Sequence, residues 1–190
     1  MKIWFIRHGE TPGNSEKRYI GRTDEPLSLR GIIQAQALGI GPVSALFVSP
    51  LRRCVQTAQI IFPQVPYRVC ESLRECDFGQ FEGKTAYELA RDGAYQAWVD
   101  GGCRGDIPGG ENVEAFKRRC CNAFQNIVKA ADAEDTLALV VHGGCIMAIL
   151  ERFESSRSFY EYHIGNCQWI LCDCRTHNGI ALTITGGALC

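Results

Sequence analysis

Five residues of kinds that bind or transfer phosphate stand at, or just after, the ends of short apolar segments: Arg7, His8, Arg52, Glu75 and His142. An arginine presents a planar fork of N–H groups that binds phosphate oxygens in pairs and stays charged at any working pH. A neutral imidazole can attack phosphorus, and a carboxylic acid can protonate the departing oxygen. Together these side chains predict transfer of a phosphoryl group, provided that the fold brings them together.

Short apolar segments rich in β-branched and aromatic residues alternate with longer segments of helical periodicity. This pattern predicts an α/β fold with a mostly parallel central sheet flanked by helices. In such sheets ligands bind beyond the carboxyl ends of the strands, so we expect the five residues to converge at one edge. The predicted strands cover residues 2–7, 45–49, 67–70, 136–142, 167–173 and 180–185.

Helices are predicted between these strands. Ser49 with Pro50 suits an N-cap followed by a first-turn proline, and His142 with Gly143 suits the start of another helix. The N-termini at these two places would add backbone N–H donors and a favourable dipole for an anion. The four predicted helices start at Ser28, Ser49, shortly after Gly110, and at His142.

Residues 71–110 differ in composition from the rest of the chain, because glycines, acidic residues and aromatics replace the regular alternation. A segment of this kind usually lies over a site rather than in the core. No internal repeat or linker is found elsewhere, and 190 residues suit one hydrophobic core. We therefore expect a single domain over residues 1–190, with residues 71–110 as an insertion over the site.

Charge and composition argue against several classes of partner. The 20 Lys and Arg residues nearly balance the 21 Asp and Glu residues, so neither nucleic acid nor a membrane surface is expected as a partner. No apolar run approaches the roughly twenty residues that a membrane span needs. The 11 cysteines are odd in number, several lie in apolar segments, and no signal sequence precedes them. These features predict reduced thiols in a cytoplasmic protein.

Several blocks of sequence occur in an order that one family shares. They are FIRHGET with Asn14 (residues 5–14), DxPLS (24–28), SPLxRxxQTA (49–58), LxExDFGxFEG (73–83) and VHGG (141–144). On these blocks the chain resembles the histidine phosphatase superfamily, the phosphoglycerate mutase-like proteins, over nearly its whole length. The resemblance implies a three-layer α/β sandwich and an enzyme that needs no metal or other cofactor.

The resemblance also implies roles for the residues of the site. His8 would be the nucleophile that becomes phosphorylated, while Arg7, Arg52 and His142 would hold the transferring phosphoryl group. Two arginines follow Ser-Pro-Leu, and we take Arg52, in the first turn, as the family's arginine. Its neighbour Arg53 is then expected to point elsewhere on the helix.

Glu75 would protonate the leaving group and then activate water. Asp77 and Glu82 of the same segment are alternatives for this acid. His163 and His177 lie outside the shared blocks, and we expect only structural roles for them. Further phosphate contacts are expected from Asn14, Thr23 and Gly143.

Members of this family either return the phosphate to their substrate, as mutases, or give it to water, as phosphatases. Cys76 and Phe78 stand where mutases are expected to carry arginine and tyrosine, which favours hydrolysis over mutase-type transfer. Among phosphatases the chain is most similar to the α-ribazole-phosphate phosphatases of cobalamin synthesis, although Met147 and Phe81 depart from their pattern. Broad-specificity phosphatases of small esters are the alternative. The expected partner is a small phosphorylated substrate, bound by a monomer or homodimer.

The sequence favours hypotheses from two other classes less. A non-catalytic phosphate-binding module would have lost a nucleophile or an acid, whereas this chain carries the complete set of five residues. A zinc-dependent interaction module is less favoured still. The adjacent Cys120 and Cys121, and Cys172 with Cys174, lack the spacing of common structural zinc sites.

Overall fold

The computed structural model describes residues 1–189, and its six strands form one sheet in the order β3-β2-β4-β1-β5-β6. β1 to β4 run parallel to one another, while β5 and β6 are antiparallel additions at one side. The prediction of a mostly parallel sheet is confirmed. The strands are β1 (Lys2–Arg7), β2 (Ala45–Val48), β3 (Tyr67–Val69), β4 (Thr136–Val141), β5 (Trp169–Arg175) and β6 (Ala181–Gly187).

Helices cover both faces of the sheet, which makes the fold the three-layer sandwich that was expected. The smaller core cluster packs α3 against one face, and the larger cluster packs α5 and α6 against the other. The helices are α1 (Pro12–Ser15), α2 (Leu29–Gln36), α3 (Arg52–Ile61), α4 (Gly93–Asp100), α5 (Val113–Lys129) and α6 (Gly143–Phe153). Short 3-10 turns lie at Glu71–Leu73, Gly79–Phe81 and Phe159–Tyr162.

The central strands are apolar on both faces because each face meets a core. In β1, Ile3 and Phe5 enter the larger cluster, whereas Ile6 enters the smaller one. β4 pairs with β1 from Lys2↔Thr136 to Arg7↔Val141. This register brings the carboxyl ends of the two strands level with each other.

The predicted helix starts are confirmed at Ser28 and His142, but not at Ser49. Ser28 caps α2, and its hydroxyl accepts the N–H of Gly31 at 3.0 Å. His142 is the N-cap residue of α6. In contrast, α3 begins later than expected, with Leu51 as its N-cap residue and no side-chain cap bond. The Ser49 hydroxyl is directed at His142 instead.

The segment between β3 and α5 serves both the core and the site. Leu73, Phe81 and Trp98 are buried in the larger core cluster, so part of this segment contributes to the core. Cys76 and Phe78 of the same segment line a cavity beside the site. No helix among residues 1–189 is long and apolar enough to span a membrane.

Candidate active site

Three strands of the sheet end beside one another at the site. His8 follows β1, Ser49 follows β2 and His142 follows β4. The N–H of His8 donates to the carbonyl of Val141 at 3.0 Å, which extends the strand pairing into the site. The rings of His8 and His142 meet edge to face, with centroids 5.1 Å apart. The predicted convergence of the two histidines is therefore present in the structure.

His8 is held in the state that a nucleophile needs. Its side chain is buried, and Nδ1 lies 2.7 Å from the carbonyl oxygen of Gly9. A carbonyl can only accept, so Nδ1 carries the proton and the neutral ring has its lone pair on Nε2. Burial, followed by the charges of Arg53 and Arg7, holds the pKa of His8 well below its ordinary value. The imidazole is consequently neutral at pH 7.

The arginine that lies with the two histidines is Arg53. Its side chain has no exposed surface, and its Nε donates to Nδ1 of His142 at 3.3 Å. Nη1 and Nη2 donate to the carbonyls of Thr23 and Gly21, both at 2.8 Å. No carboxylate among residues 1–189 forms an ion pair with Arg53.

The expectation that Arg52 faces the site while Arg53 points elsewhere is wrong. Because α3 begins at Arg52, its buried face consists of Arg53, Cys54, Thr57 and Ala58. The Arg52 side chain is exposed and makes no hydrogen bond or ion pair within residues 1–189. Only its backbone N–H is engaged, with the carboxylate of Asp24 at 2.7 Å.

Arg7 supplies a second cation, and His163 helps to hold it. Nη1 of Arg7 donates to the carbonyl of Ile164 at 2.6 Å and lies 3.2 Å from Nε2 of His163. Nε of Arg7 is buried without a partner in residues 1–189. Burial, opposed by the charge of Glu75, lowers the pKa of Arg7. His163 was expected to be merely structural, but it contacts the guanidinium of the site.

His142 is locked by its neighbours on both ring nitrogens. Because Arg53 donates to Nδ1, the proton of the neutral ring is on Nε2, which lies 2.7 Å from the hydroxyl of Ser49. Burial and the charge of Arg53, with smaller effects of His8 and Arg7, hold the pKa of His142 well below its usual range. The ring is thus neutral and fixed in one tautomer.

Glu75 is the carboxyl group that meets the start of α6. Its Oε2 accepts the N–H of Gly144 and its Oε1 accepts the N–H of Cys76, both at 3.0 Å. The approach requires a glycine, since a Cβ at position 144 would lie 2.3 Å from Oε1 of Glu75. Glu75 as a whole residue is 9% exposed, and it lines the cavity beside the site.

The two alternative acids are occupied elsewhere. Asp77 forms an ion pair with Arg22 at 3.2 Å and accepts the N–H of Gly79 at 2.9 Å. Glu82 accepts the N–H groups of Gly21 and Thr23 at 2.8 and 2.9 Å. Glu82 therefore shapes the loop whose carbonyls bind Arg53.

Asn14, Thr23 and Asn166 surround the site with backbone and amide groups. Oδ1 of Asn14 accepts from Nδ2 of Asn166, which also donates to the carbonyl of His8, both at 3.1 Å. The side-chain nitrogen Nδ2 of Asn14 makes no hydrogen bond within residues 1–189, and Asn14 lines the cavity. Thr23 is exposed and supplies its carbonyl to Arg53. Nothing in the sequence pattern had pointed to Asn166.

A cavity of about 330 Å³ opens beside the site. Its polar part includes Arg7, Asn14, Arg18, Glu75, His163 and the backbone of Gly143 and Gly144. The remaining wall is largely aromatic or apolar and includes Tyr19, Phe78, Trp98, Phe116, Met147, Phe159 and Tyr160. Among residues 1–189, no group of three or more His, Cys, Asp or Glu side chains is placed to hold a metal ion.

Known proteins share this architecture. An adenosylcobalamin/α-ribazole phosphatase of Escherichia coli (strain K12) is 30% identical over 161 residues, which cover 80% of this chain and 78% of that protein. The structure of the α-ribazole phosphatase from Shigella flexneri superimposes with a TM-score of 0.85 at 26% identity, covering 97% of this chain and 95% of that one. The structure of a phosphoglycerate mutase from Thermus thermophilus gives 0.74 at 28% identity, with coverage of 98% and 99%.

The model of the histidine phosphatase superfamily (branch 1) matches residues 3–185. This range contains every strand except the first residue of β1 and the last two residues of β6, and all the site residues described above. The chain belongs to the histidine phosphatase superfamily.

Proposed function

We propose that this enzyme hydrolyses a small phosphate monoester in two steps, through a phosphohistidine on His8. One observation carries the proposal: the guanidinium groups of Arg53 and Arg7 are fully and partly buried beside neutral His8, and no carboxylate of residues 1–189 pairs with either. An unpaired buried cation is costly, and the oxygens of a phosphoryl group are ligands that guanidinium binds well.

In the first step Nε2 of His8 attacks phosphorus, and the bond from phosphorus to the ester oxygen breaks. Arg7 and Arg53 neutralise the charge on the phosphoryl oxygens, a task that Mg²⁺ performs in other phosphoryl-transfer enzymes. The carboxyl group of Glu75 gives its proton to the departing oxygen. The bond from Nδ1 of His8 to the Gly9 carbonyl stabilises the positive charge that the ring gains.

In the second step water attacks the phosphoryl group on His8. The carboxylate of Glu75 takes a proton from this water, the bond from phosphorus to Nε2 breaks, and phosphate leaves. Both His8 and Glu75 are returned to their starting states. Asn14 and Gly143 are proposed to donate N–H groups to the phosphoryl oxygens, since both border the cavity.

We infer that the main role of His142 is to orient the side chain of Arg53. Both of its ring nitrogens are engaged, with Ser49 and with Arg53. A direct bond from His142 to a phosphoryl oxygen would require its Nε2–H to leave the Ser49 hydroxyl. Thr23 is proposed to act through its carbonyl on Arg53 rather than as a phosphate ligand.

Hydrolysis is favoured over mutase-type transfer because the cavity offers little to a second anionic group. Cys76 and Phe78 line it, and Arg18 at its border is already paired with Glu16 and Glu88. We propose α-ribazole 5′-phosphate as the substrate, supported by the relatives named above. A broader range of small esters is the alternative.

We further propose a cytoplasmic monomer or homodimer. The odd number of cysteines, several of them in apolar segments, supports a reducing compartment.

The proposed function is tested by measuring the hydrolysis of para-nitrophenyl phosphate with and without EDTA. Activity should persist in EDTA and be lost in His8→Ala, whereas His177→Ala, at an exposed histidine far from the shared blocks, should keep it. Chelator-sensitive activity, or activity retained in His8→Ala, would overturn the mechanism. A comparison of kcat/KM across α-ribazole phosphate, phosphoglycerates and sugar phosphates then tests the substrate.

A further inference from the structure

Arg119 of α5 binds the backbone of the segment that carries Glu75. Its Nη1 donates to the carbonyls of Ser72 and Arg74 at 2.8 and 2.7 Å, and its Nη2 donates to the carbonyl of Glu75 at 3.0 Å. Arg119 is not among the residues that line the cavity. It reaches the site only through the main chain of this segment.

Glu111 completes the arrangement. Its two carboxylate oxygens accept from Nε and Nη2 of Arg119 at 2.7 and 2.8 Å, so all five N–H groups of the guanidinium are used. The backbone N–H of Glu111 donates to the carbonyl of Asp77 at 3.0 Å. The pair of Arg119 and Glu111 thereby binds the main chain on both sides of Glu75.

The position of Glu75 depends on these bonds because its segment has no regular structure. The 3-10 turn ends at Leu73, and no backbone N–H among residues 1–189 donates to the carbonyls of Arg74 or Glu75. The thiol of Cys145 is the other donor to the Arg74 carbonyl, at 3.4 Å. Within the described residues, Arg119 alone bonds the carbonyl of Glu75.

The side chain of Glu75 is fixed at its far end by Gly144 and Cys76. Arg119 fixes the near end, at the main chain. A carboxyl group held at both ends has little freedom to change its distance from a leaving oxygen. Proton transfer depends steeply on that distance, and a displacement of about 1 Å can cost about 10²-fold in rate.

We propose that Arg119 is a positioning residue, which holds Glu75 in place for proton transfer and does not itself touch the substrate. The proposal rests on the proposed function of Glu75 as the proton donor. It predicts a defect that depends on the leaving group. Aryl phosphates, whose leaving groups need little protonation, should phosphorylate His8 almost normally when Arg119 is replaced, whereas alkyl phosphates should not.

The test compares kcat/KM for para-nitrophenyl phosphate and glycerol phosphate in Arg119→Ala and Arg119→Lys. This ratio reports the steps up to phosphorylation of His8 and leaves out the second step, in which Glu75 activates water for both esters. We expect kcat/KM for glycerol phosphate to fall at least about tenfold in Arg119→Ala, and kcat/KM for the aryl ester to fall less than about threefold. Lysine keeps the positive charge but cannot reproduce the planar set of guanidinium N–H groups, so Arg119→Lys should show the same selectivity with a smaller loss of activity. This variant also keeps the test valid if Arg119→Ala folds poorly. Arg118→Ala, at the exposed neighbouring position of the same helix, should match the wild type on both esters.

A second experiment measures the effect of the same Arg119 substitutions in a Glu75→Gln variant. If Arg119 acts through Glu75, its replacement should cost less than about twofold there on glycerol phosphate. Equal losses on the two esters, or a loss that persists undiminished in Glu75→Gln, would overturn the proposal while leaving the phosphohistidine mechanism intact. Equal losses on both esters in Glu75→Gln alone would instead overturn both the assignment of the acid and this proposal.

Discussion

The Nε of Arg53 donates to Nδ1 of His142 at 3.3 Å, inside the protein, where neither side chain has exposed surface. This contact couples a permanent cation to a neutral ring that is itself fixed by Ser49. The guanidinium of Arg53 has no carboxylate partner in residues 1–189. Its charge acts on His8, whose ring contacts that of His142. This arrangement at the ends of three strands supports the proposed binding of a phosphoryl group.

Replacement of Arg53 should damage catalysis far more than replacement of Arg52. We expect Arg53→Ala to lower kcat/KM by about 10²- to 10³-fold, the usual cost of removing one group that stabilises transition-state charge. Arg52→Ala, at the exposed neighbouring position, should change it less than about threefold. Steady-state kinetics with para-nitrophenyl phosphate, after circular dichroism has shown both variants to be folded, checks this. Similar losses in the two variants would argue against the placement of Arg53.

Removal of the Ser49 hydroxyl should destabilise the fold, because the buried Nε2–H of His142 would then have only the Sγ of Cys54, a weak acceptor 3.5 Å away. The free energy of unfolding of Ser49→Ala should fall by about 1–3 kcal/mol, measured by urea denaturation. Ser72→Ala, which removes an exposed hydroxyl that makes no hydrogen bond within residues 1–189, serves as the matched control and should lose little. An unchanged stability of Ser49→Ala would show that this hydrogen bond is not made in solution.

Stability should decline as the pH falls below about 6.5, the ordinary pKa of histidine. The folded-state pKa values of His8 and His142 are lowered, first of all by burial. In this range the unfolded chain therefore binds protons that the folded chain does not. The free energy of unfolding should fall with pH, by up to about 1.4 kcal/mol per pH unit for each of the two histidines.

The pH effect of the histidines can be separated from that of the carboxylates. Glu88, Glu154 and Glu161 have lowered pKa values, so their contributions are lost only below about pH 4.5. The free energy of unfolding, measured by urea titration at several pH values between 7 and 5, should thus depend less steeply on pH in His8→Gln than in the wild type. A stability that does not change with pH in this window would contradict the buried neutral state of the two rings.

Glu75→Gln should act selectively, whereas the same change at its neighbour should not. We expect Glu75→Gln to slow an alkyl phosphate by about 10²- to 10⁴-fold and an aryl phosphate far less. Asp77→Asn should show no such selectivity, since Asp77 is paired with Arg22. Values of kcat/KM for the two kinds of ester, which report the step in which the leaving group departs, decide between the acids. A selective loss in Asp77→Asn would transfer the role to that residue.

The sequence predicted both ends of all six strands to within two residues. It could do so because a sheet covered on both faces requires nearly continuous apolar runs. It failed at Arg52 because the buried face of a short helix depends on the residue at which the helix begins. A shift of the cap from Ser49 to Leu51 exchanges the exposed and buried positions of two neighbouring arginines. The same shift freed Ser49 to bind His142.

Local sequence patterns do not predict contacts between distant parts of the chain. His163 lies 156 residues from Arg7 in sequence, and Asn166 lies 158 residues from His8. Neither belongs to a block with recognisable spacing. Their positions follow from the antiparallel pairing of β5 with β1, which places the loop before β5 over the end of β1.

The measurement that bears most directly on the mechanism is the capture of the covalent intermediate. The enzyme is mixed with an aryl phosphate, quenched in alkali within the first turnover, and digested for mass spectrometry of the peptide that contains His8. The mechanism predicts a phosphoryl group on His8 that is stable in alkali, is lost in acid, disappears as turnover ends, and is absent from His8→Ala. Phosphate on another residue, or a protein that turns over substrate without becoming phosphorylated, would contradict it.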